Sequence, residues 1–429
     1  MLFRNITLVD ENFQIRKNQF VGVKNDRIAY IGACAPTEDY GQVFEGANKL
    51  LIPSFYNMHS HLPMYFLRGF GENLPLMDWL NTRIFPFEAQ LTEDDMYFGA
   101  LMGAAESLRF GIGATNEMYL RHRPLGKALF ESGLKANFSA CCTCFDGSDY
   151  RDLPNFRETL LAIEEFDGAD SGRLQVDFSL HAEYTSTERV VRGFAEAVQK
   201  VEKRVHLHLS ETAGEVADCR ARHEGRSPVQ YFADCGVFAA PTVAAHGVHL
   251  SGEDRAILKE SGVTVASCPK SNAKLGSGVC PVGDLLKTGV NVAIGTDSVA
   301  SNNNLNLLEE LRFFNLLQKA VTADPTVLTP EETLFAATRA GALAQGRADS
   351  GLVKEGFKAD LTVFDLSGVT MKPDHDLLAN LIYAANGTDV VLTMVDGRVL
   401  YQNGVYTTLD IEKIQFECEK ICHRIVAKL

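Results

Sequence analysis

Hydrophobic and polar residues alternate in short runs at both ends of the chain. Runs such as ITLVD and QFVGVKN lie near the start, and DLTVFDL and DVVLTMVDGRVLYQNGVY follow the middle of the chain. Turn residues separate the runs, and Asp396-Gly397 and Asn403-Gly404 are typical of hairpin turns. The shared pattern predicts one small β-sandwich domain built from residues 1–52 and 349–429, with LDIEKIQFECEKICHRIVAKL as a closing helix.

The middle of the chain, residues 53–348, has a different pattern, in which short apolar runs alternate with longer stretches of helical spacing. The predicted helices include 94–110, 188–202 and 305–320, and the predicted strands are 51–57, 113–118, 135–142, 175–181, 203–209, 242–247, 263–267 and 291–296. Eight strands that alternate with helices predict an α/β fold with a (β/α)8 TIM-type barrel. A doubly wound open sheet is the alternative, but the chain has neither G-x-G-x-x-G nor a G-K-S/T phosphate loop.

The chain is acidic, with 41 Lys and Arg against 55 Asp and Glu and a net charge of -14. Such a chain repels a polyphosphate backbone, which argues against a nucleic-acid partner but is compatible with a small neutral or cationic substrate. It has no apolar run of about 18 residues that would span a membrane, and no signal peptide is recognisable. The ten cysteines follow neither a disulfide framework nor a zinc-knuckle spacing. We therefore expect a cytoplasmic protein with reduced thiols and no membrane association.

Histidines collect where the predicted barrel strands end. His59 and His61 stand two apart at the end of the first strand, so their side chains share one face of it. His208, His246 and Asp297 end the fifth, sixth and eighth strands. Catalytic groups collect at the carboxyl-terminal face of such a barrel, so these side chains are expected to converge there.

Three imidazoles and a carboxylate form a suitable site for a divalent ion such as zinc. We assign His59, His61, His208 and Asp297 as its ligands, and the ion would lower the pKa of a bound water to about 7. The fourth strand offers His181 and no lysine that could bridge two metals, which favours a single ion. A polar barrel mouth without metal is the alternative.

Glu211 follows His208 by three residues, and at the barrel mouth its carboxylate suits general acid–base work. The alternative is a capping residue, because Ser210-Glu211-Thr212 also resembles a helix start. His206 shares a strand face with His208 and is interpreted as a hydrogen-bonded core histidine one layer deeper. His249 is interpreted as structural or as a residue that supports the site from behind His246.

The segments NMHSHLPMYFLRG, HLSET, AAHGVHL, CPKSNAKLGSGVCPV and IGTDSVASNNNLNLLEELR together resemble the amidohydrolase superfamily. Within it they are similar to the aminohydrolases and chlorohydrolases that act on N-heterocycles, above all to the deaminases of 5′-methylthioadenosine and S-adenosylhomocysteine. The resemblance covers nearly the whole chain. It is highly specific for the superfamily and less so for the substrate.

The resemblance implies one zinc ion at the four ligands already assigned, with Glu211 and His246 beside its water. It also implies that Trp79 and His181 contact the heterocycle and that Glu88 holds ribose hydroxyls. A homo-oligomer is expected from the resemblance alone. Trp79 as plain core and Glu88 as a solvated loop acid are the alternatives.

One departure from the family concerns FSACCTCFDGSDYRDL, after the third strand. A homocysteine carboxylate would require arginines there, and only Arg151 is present, as a candidate substrate contact. A smaller or less charged 5′ substituent therefore fits better.

The predicted function is zinc-dependent hydrolytic deamination of an adenosine-type nucleoside: 5′-methylthioadenosine, 5′-deoxyadenosine, adenosine or S-adenosylhomocysteine. In the hypothesis, Asp297 and His246 take up the water proton, and Glu211 protonates the ring nitrogen and then the leaving ammonia. The alternative is deamination of a free base (guanine, 8-oxoguanine or a pterin such as isoxanthopterin) or hydrolysis of a triazine. A non-catalytic scaffold and a cyclic amide hydrolase are further alternatives, disfavoured by the complete ligand set and by the missing bridging lysine.

Overall fold

The computed structural model describes residues 1–429 and contains two nine-stranded sheets. The strands of the terminal sheet are β1–β5 (Leu2–Val9, Ile15–Lys24, Arg27–Gly32, Val43–Glu45 and Lys49–Pro53) and β15–β18 (Leu361–Asp365, Val390–Val395, Arg398–Gln402 and Val405–Tyr406). The strands of the second sheet are β6–β14 (Phe55–Ser60, Ile112–Tyr119, Lys135–Cys142, Leu174–Val176, Phe178–Leu180, Val205–Leu209, Thr242–His246, Thr264–Ser267 and Asn291–Ile294).

Helices connect and cover the strands of the second sheet. Their bounds are Leu76–Trp79, Phe85–Glu88, Glu93–Arg109, His122–Ser132, Pro154–Phe166, Glu188–Val201, Ala213–Arg222, Pro228–Asp234, Gly252–Glu260, Pro269–Lys274, Val282–Thr288, Val299–Asn302, Leu307–Thr322, Pro330–Ala337, Arg339–Ala344, Leu377–Tyr383 and Ile411–Val426. A π-helical turn, Leu80–Ile84, joins the first two. None of the helices combines the length and the apolar composition needed to cross a membrane.

The second sheet is the predicted barrel. All its neighbouring strands pair in parallel, in the order β6-β7-β8-β10-β11-β12-β13-β14, with β9 beside β8. A parallel bridge between Ser60 and Asp297 closes the circle, and the Asp297 amide donates to the His59 carbonyl at 2.9 Å. Asn57 and Thr296 exchange two further hydrogen bonds of 2.7 and 2.9 Å across this seam. The predicted eight-stranded α/β barrel is confirmed.

The terminal sheet joins the two ends of the chain. β5 lies between β1 and β15 and pairs with both, so amino-terminal and carboxyl-terminal strands form one continuous sheet. One face of it buries a core of 13 residues separate from that of the barrel. The last strand before the barrel ends at Pro53 and the next sheet strand begins at Leu361, and the domain limits 52/53 and 348/349 stay a prediction.

The closing helix, Ile411–Val426, packs against the barrel helix Glu93–Arg109. Arg424 forms an ion pair with the buried Asp95, and the Cys418 thiol donates to the Phe98 carbonyl. None of the ten cysteines forms a disulfide. The helix therefore fastens the carboxyl-terminal segment to the barrel.

Candidate active site

A cavity of about 570 Å³ opens at the carboxyl-terminal ends of the barrel strands. It is lined by 25 residues, of which 14 are hydrophobic. Eight of the ten residues predicted from the sequence line it: His61, Trp79, Glu88, His181, His208, Glu211, His246 and Asp297. His59 lies directly behind, fully buried, with its ring centroid 4.7 Å from that of His61.

The four predicted metal ligands fall in two overlapping groups of possible donors, and the group of His59 and Asp297 also includes His246. One ligand atom each of His59, His61 and His208 lies within 4.8 Å of the others. The Nε2 atoms of His59 and His61 lie 3.5 and 3.3 Å from Oδ1 of Asp297. Donor atoms at these separations can share a metal ion.

The opposite nitrogen of each ligand histidine is held by the protein. Nδ1 of His61 donates to the Met118 carbonyl at 2.6 Å, and Nδ1 of His208 donates to the His181 carbonyl at 2.8 Å. A carbonyl only accepts, so each Nδ1 carries a proton, and in the neutral form of either ring Nε2 is the nitrogen that can bind a metal. Burial also lowers the pKa of His208 well below its ordinary value, which keeps this ring neutral.

His59 is held from below by His206, as the sequence predicted for that deeper histidine. The two rings share a hydrogen bond of 2.9 Å between His59 Nδ1 and His206 Nε2. Burial lowers the pKa of His59 to about 3, and its Nε2 is buried without a hydrogen-bond partner. A buried nitrogen without a partner costs free energy unless a ligand completes it.

Asp297 is oriented by three donors. The hydroxyls of Ser271 and Ser301 donate to Oδ2 at 2.6 and 2.7 Å, and the Ser298 amide donates to Oδ1 at 2.8 Å. Burial would raise the pKa of Asp297, but its contacts with His59 and His61 outweigh burial and hold the pKa well below its ordinary value. Asp297 has a φ of 60° and His246 a φ of 73°, a strained backbone that is common at functional sites.

The donor set fits a divalent metal ion. Neutral imidazole nitrogens and one ionised carboxylate are the ligands that zinc accepts, and the unpartnered Nε2 of His59 is a donor atom that such an ion would satisfy. A second group of possible donors, Glu183, Cys219 and His223, lies elsewhere. There Arg222 and His223 already bind the Glu183 carboxylate at 2.6 and 2.7 Å, so the group is an ion-pair network.

Glu211 and His246 lie beside the ligands. Oε2 of Glu211 is 3.7 Å from Nε2 of His246, and Nδ1 of His246 donates to the Asn272 side-chain oxygen at 2.9 Å. Burial raises the pKa of Glu211. The capping alternative for Glu211 does not hold, because Thr212 and Glu215 form the capping box of helix Ala213–Arg222. The Glu211 carboxyl is therefore free to face the cavity.

Glu88 and Trp79 lie on the roof of the cavity, which consists of Leu76–Trp79, the π-helical turn and Phe85–Glu88. The Tyr119 hydroxyl donates to Oε1 of Glu88 at 2.8 Å. Burial raises the pKa of Glu88 to about 7, against the effect of this hydrogen bond. Glu88 is thus no solvated loop acid, and the buried ring of Trp79 borders the same cavity.

Arg151 is not brought to the cavity. Its guanidinium binds the Asp149 carboxylate through two hydrogen bonds of 3.0 Å and lies 3.3 Å from Glu196 on the outside of the barrel. Asp149 and Glu196 therefore form ion pairs with Arg151 outside the active-site cavity. A lone arginine in a loop was too weak a signal to place it.

Sequence reasoning did not single out four residues that support the site. Asn272, Ser271 and Ser301 orient His246 and Asp297, and Tyr119 binds Glu88. The first three lie in CPKSNAKL and GTDSVASN, segments noted for their resemblance. Tyr119 ends a barrel strand, which is the signal that could have identified it.

Known proteins share this fold and sequence. The sequence matches the Amidohydrolase family over residues 50–400. It is 37% identical over 421 residues to the 5-methylthioadenosine/S-adenosylhomocysteine deaminase of Dictyoglomus thermophilum, covering 98% of this chain and 97% of that protein. It is also 37% identical over 400 residues to the 5′-deoxyadenosine deaminase of Methanobrevibacter smithii, covering 93% and 92% of the two chains.

A solved structure agrees with these matches. The crystal structure of an adenosine deaminase from Xanthomonas campestris with bound zinc superposes with a TM-score of 0.92 at 30% identity. The superposition covers 99% of this chain and 98% of that one. Sequence and fold therefore agree over nearly the full length.

Proposed function

The chain belongs to the amidohydrolase family and is a hydrolytic aminohydrolase, and from that premise we propose that it deaminates an adenosine-type nucleoside to the inosine analogue and ammonia. The observation that carries the proposal is Glu88, a carboxylate in the same cavity as Glu211 and the ligand cluster. A nucleoside has two parts that this cavity would bind. The base would lie at Glu211 and the ligand cluster, and the ribose hydroxyls would donate to Glu88.

The proposed cofactor is one zinc ion held by His59, His61, His208 and Asp297. Support comes from the unpartnered Nε2 of His59 and from the zinc in the Xanthomonas campestris relative. When bound, the ion would supply Lewis-acid activation of water at neutral pH. The serine donors to Asp297 and the hydrogen bonds to the ligand histidines fix the orientation of these side chains.

Glu211 and His246 would move the protons of the reaction. Burial raises the pKa of Glu211, which favours the protonated carboxyl, and Glu211 would deliver this proton to the ring nitrogen beside the amino-bearing carbon. His246 keeps its proton on Nδ1, bound to Asn272, so its Nε2 can accept a hydrogen bond from the attacking water. Asp297 and His246 would take up the first proton of the water. Glu211, having protonated the ring nitrogen, would regain a proton from the hydroxyl of the adduct as the carbonyl forms and pass it to the amino group, which leaves as ammonia.

His181 and Trp79 would hold the base. Burial lowers the pKa of His181 to about 4, so the ring is neutral. A neutral imidazole can form a hydrogen bond with an uncharged heterocycle. The Trp79 indole on the roof gives an apolar surface for a flat ring.

Ammonia release tests the proposal. The zinc-loaded protein is assayed with adenosine, 5′-deoxyadenosine, 5′-methylthioadenosine, S-adenosylhomocysteine, guanine, 8-oxoguanine and isoxanthopterin. We expect kcat/KM for at least one adenosine nucleoside to exceed that for every free base. A free base as the best substrate, with no nucleoside turned over, would contradict the proposal.

A further inference from the structure

The opening of the active-site cavity is apolar. Four side chains line the cavity and also keep a large exposed fraction, so they stand at its mouth. We call them the apolar rim: Leu120 at 38% exposed, Phe85 at 45%, Met77 at 52% and Phe145 at 72%. Large hydrophobic residues clustered at the surface mark a binding surface, because each costs free energy while it faces water.

The cavity also lacks cationic side chains. None of its 25 lining residues is a lysine or an arginine. The ionisable lining groups are histidines, acids, tyrosines and one cysteine, and Glu88 and Glu211 are carboxyls outside the proposed ligand set. A carboxylate entering the cavity would lose water without gaining a charged partner.

The arginines near the apolar rim already contact other side chains of the protein. Arg121 forms an ion pair with Glu158 at 2.5 Å, and Arg151 is bound by Asp149 and Glu196. Arg83 extends over the Phe70 ring, 6.0 Å from its centroid. A substrate carboxylate at the rim would have to break these contacts to obtain a counter-charge.

A bound nucleoside would direct its 5′ substituent to this rim. With the base at the ligand cluster and the ribose hydroxyls at Glu88, the 5′ carbon points away from the cluster and toward the opening. Phe85 stands one helical turn before Glu88, so the rim begins beside the ribose position.

We infer that the apolar rim is the subsite for the 5′ substituent and that it selects neutral 5′-alkylthio or 5′-arylthio adenosines over those with an anionic or zwitterionic tail. The inference rests on the proposed function, which sets the orientation of the nucleoside. Each methylene that the rim buries strengthens binding about fourfold.

Two adenosine thioethers of matched shape test the inference. The 5′-isobutylthio and 5′-carboxymethylthio groups branch at the same position and differ in charge. We expect kcat/KM for the isobutyl compound to exceed that for the carboxymethyl compound at least tenfold. We also expect Phe145→Arg to shift this ratio at least tenfold toward the carboxymethyl compound. Phe416→Arg, at an exposed phenylalanine on the closing helix, should leave the ratio unchanged.

Binding gives a second readout that does not need turnover. Trp79 is the only tryptophan and lines the cavity, so its fluorescence reports the dissociation constant of each thioether. If the isobutyl compound binds tenfold tighter but no nucleoside releases ammonia, the subsite stands and the proposed function fails. Deamination of both thioethers with equal kcat/KM would overturn the subsite alone. If neither thioether binds, the subsite is also overturned, and ammonia release from adenosine and 5′-deoxyadenosine decides the proposed function separately.

Discussion

Glu211 is buried and Glu88 is half-buried, and desolvation raises the pKa of both, yet their surroundings suit different tasks. Glu211 lies 3.7 Å from His246 beside the ligand cluster, where a proton can be passed to substrate. Glu88 accepts a hydrogen bond from Tyr119 and has no ligand histidine as a hydrogen-bond partner. The sequence indicated the role of Glu211 by its spacing from His208, whereas only family resemblance pointed to Glu88, because a lone acid in a loop carries no local signal.

Glu211→Gln should lower kcat by about 10²- to 10⁴-fold, because the amide cannot deliver a proton. The zinc content should stay unchanged, since Glu211 is not among the proposed ligands. Steady-state kinetics and metal analysis of the same preparation check both statements, with the exposed Glu253→Gln as control. Near wild-type turnover by a zinc-containing Glu211→Gln protein would refute the assignment.

The KM for an adenosine nucleoside should fall as the pH rises through about 7, the pKa to which burial raises Glu88. Below that pH the carboxyl is protonated and loses the charge that strengthens hydrogen bonds from ribose hydroxyls. Glu88→Gln should remove this dependence. At pH 8 it should raise KM by a factor that corresponds to a loss of about 1.5–3 kcal/mol in binding free energy. For 2′,3′-dideoxyadenosine, which lacks both hydroxyls, KM should not respond to the substitution; an equal response would contradict the ribose role.

At the scale of the elements, hydrophobic patterning predicted most barrel strands to within one or two residues. The predicted strand 135–142 has the bounds of β8, and the predicted helix 94–110 is displaced by one residue from Glu93–Arg109. The predicted strand 51–57 instead spans two strands, β5 and β6, which meet at Ser54. Both strands are buried, so the apolar run continues from the terminal sheet into the barrel without a local break.

The end of β14 approaches β6 so closely that only glycine fits at position 295. A Cβ atom there would lie 2.7 Å from Cβ and 2.9 Å from the amide nitrogen of His59. Gly295→Ala should therefore displace His59 and lower zinc affinity at least tenfold, which a competitive chelator titration measures. Gly214→Ala is the matched control, because its Cβ would meet nothing closer than 3.9 Å. Unchanged zinc affinity in Gly295→Ala would contradict a ligand role for His59.

At the scale of the whole molecule, the barrel and the terminal sheet are joined by a buried ion cluster. The Lys135 ammonium of β8 lies 2.5 Å from the Asp360 carboxylate and 2.9 Å from Asp396, both beside strands of the terminal sheet. More than 200 residues separate these partners, so the sequence pattern could not pair them. The sequence pattern could not pair Asn57 with Thr296 at the barrel seam either. The barrel and the terminal sheet themselves were predicted from the pattern of hydrophobic and polar residues.

Lys135→Met should lower the free energy of unfolding by about 3–5 kcal/mol, because it leaves the buried Asp360 carboxylate without its cation. Urea denaturation measures the loss. Lys17→Met removes an exposed ion pair with Asp374 and should change stability by less than about 1 kcal/mol. Equal effects of the two substitutions would show that the buried cluster does not join the units.

The most direct test of the central claim measures ammonia release from 5′-deoxyadenosine and 5′-methylthioadenosine as a function of bound zinc. The protein is stripped with a chelator, dialysed and titrated with zinc while metal content and initial rate are followed together. We predict negligible turnover without metal and a linear rise in rate that saturates at one zinc ion per chain. Full activity of the stripped protein, or no ammonia from either nucleoside at any zinc content, would contradict a zinc-dependent nucleoside deaminase.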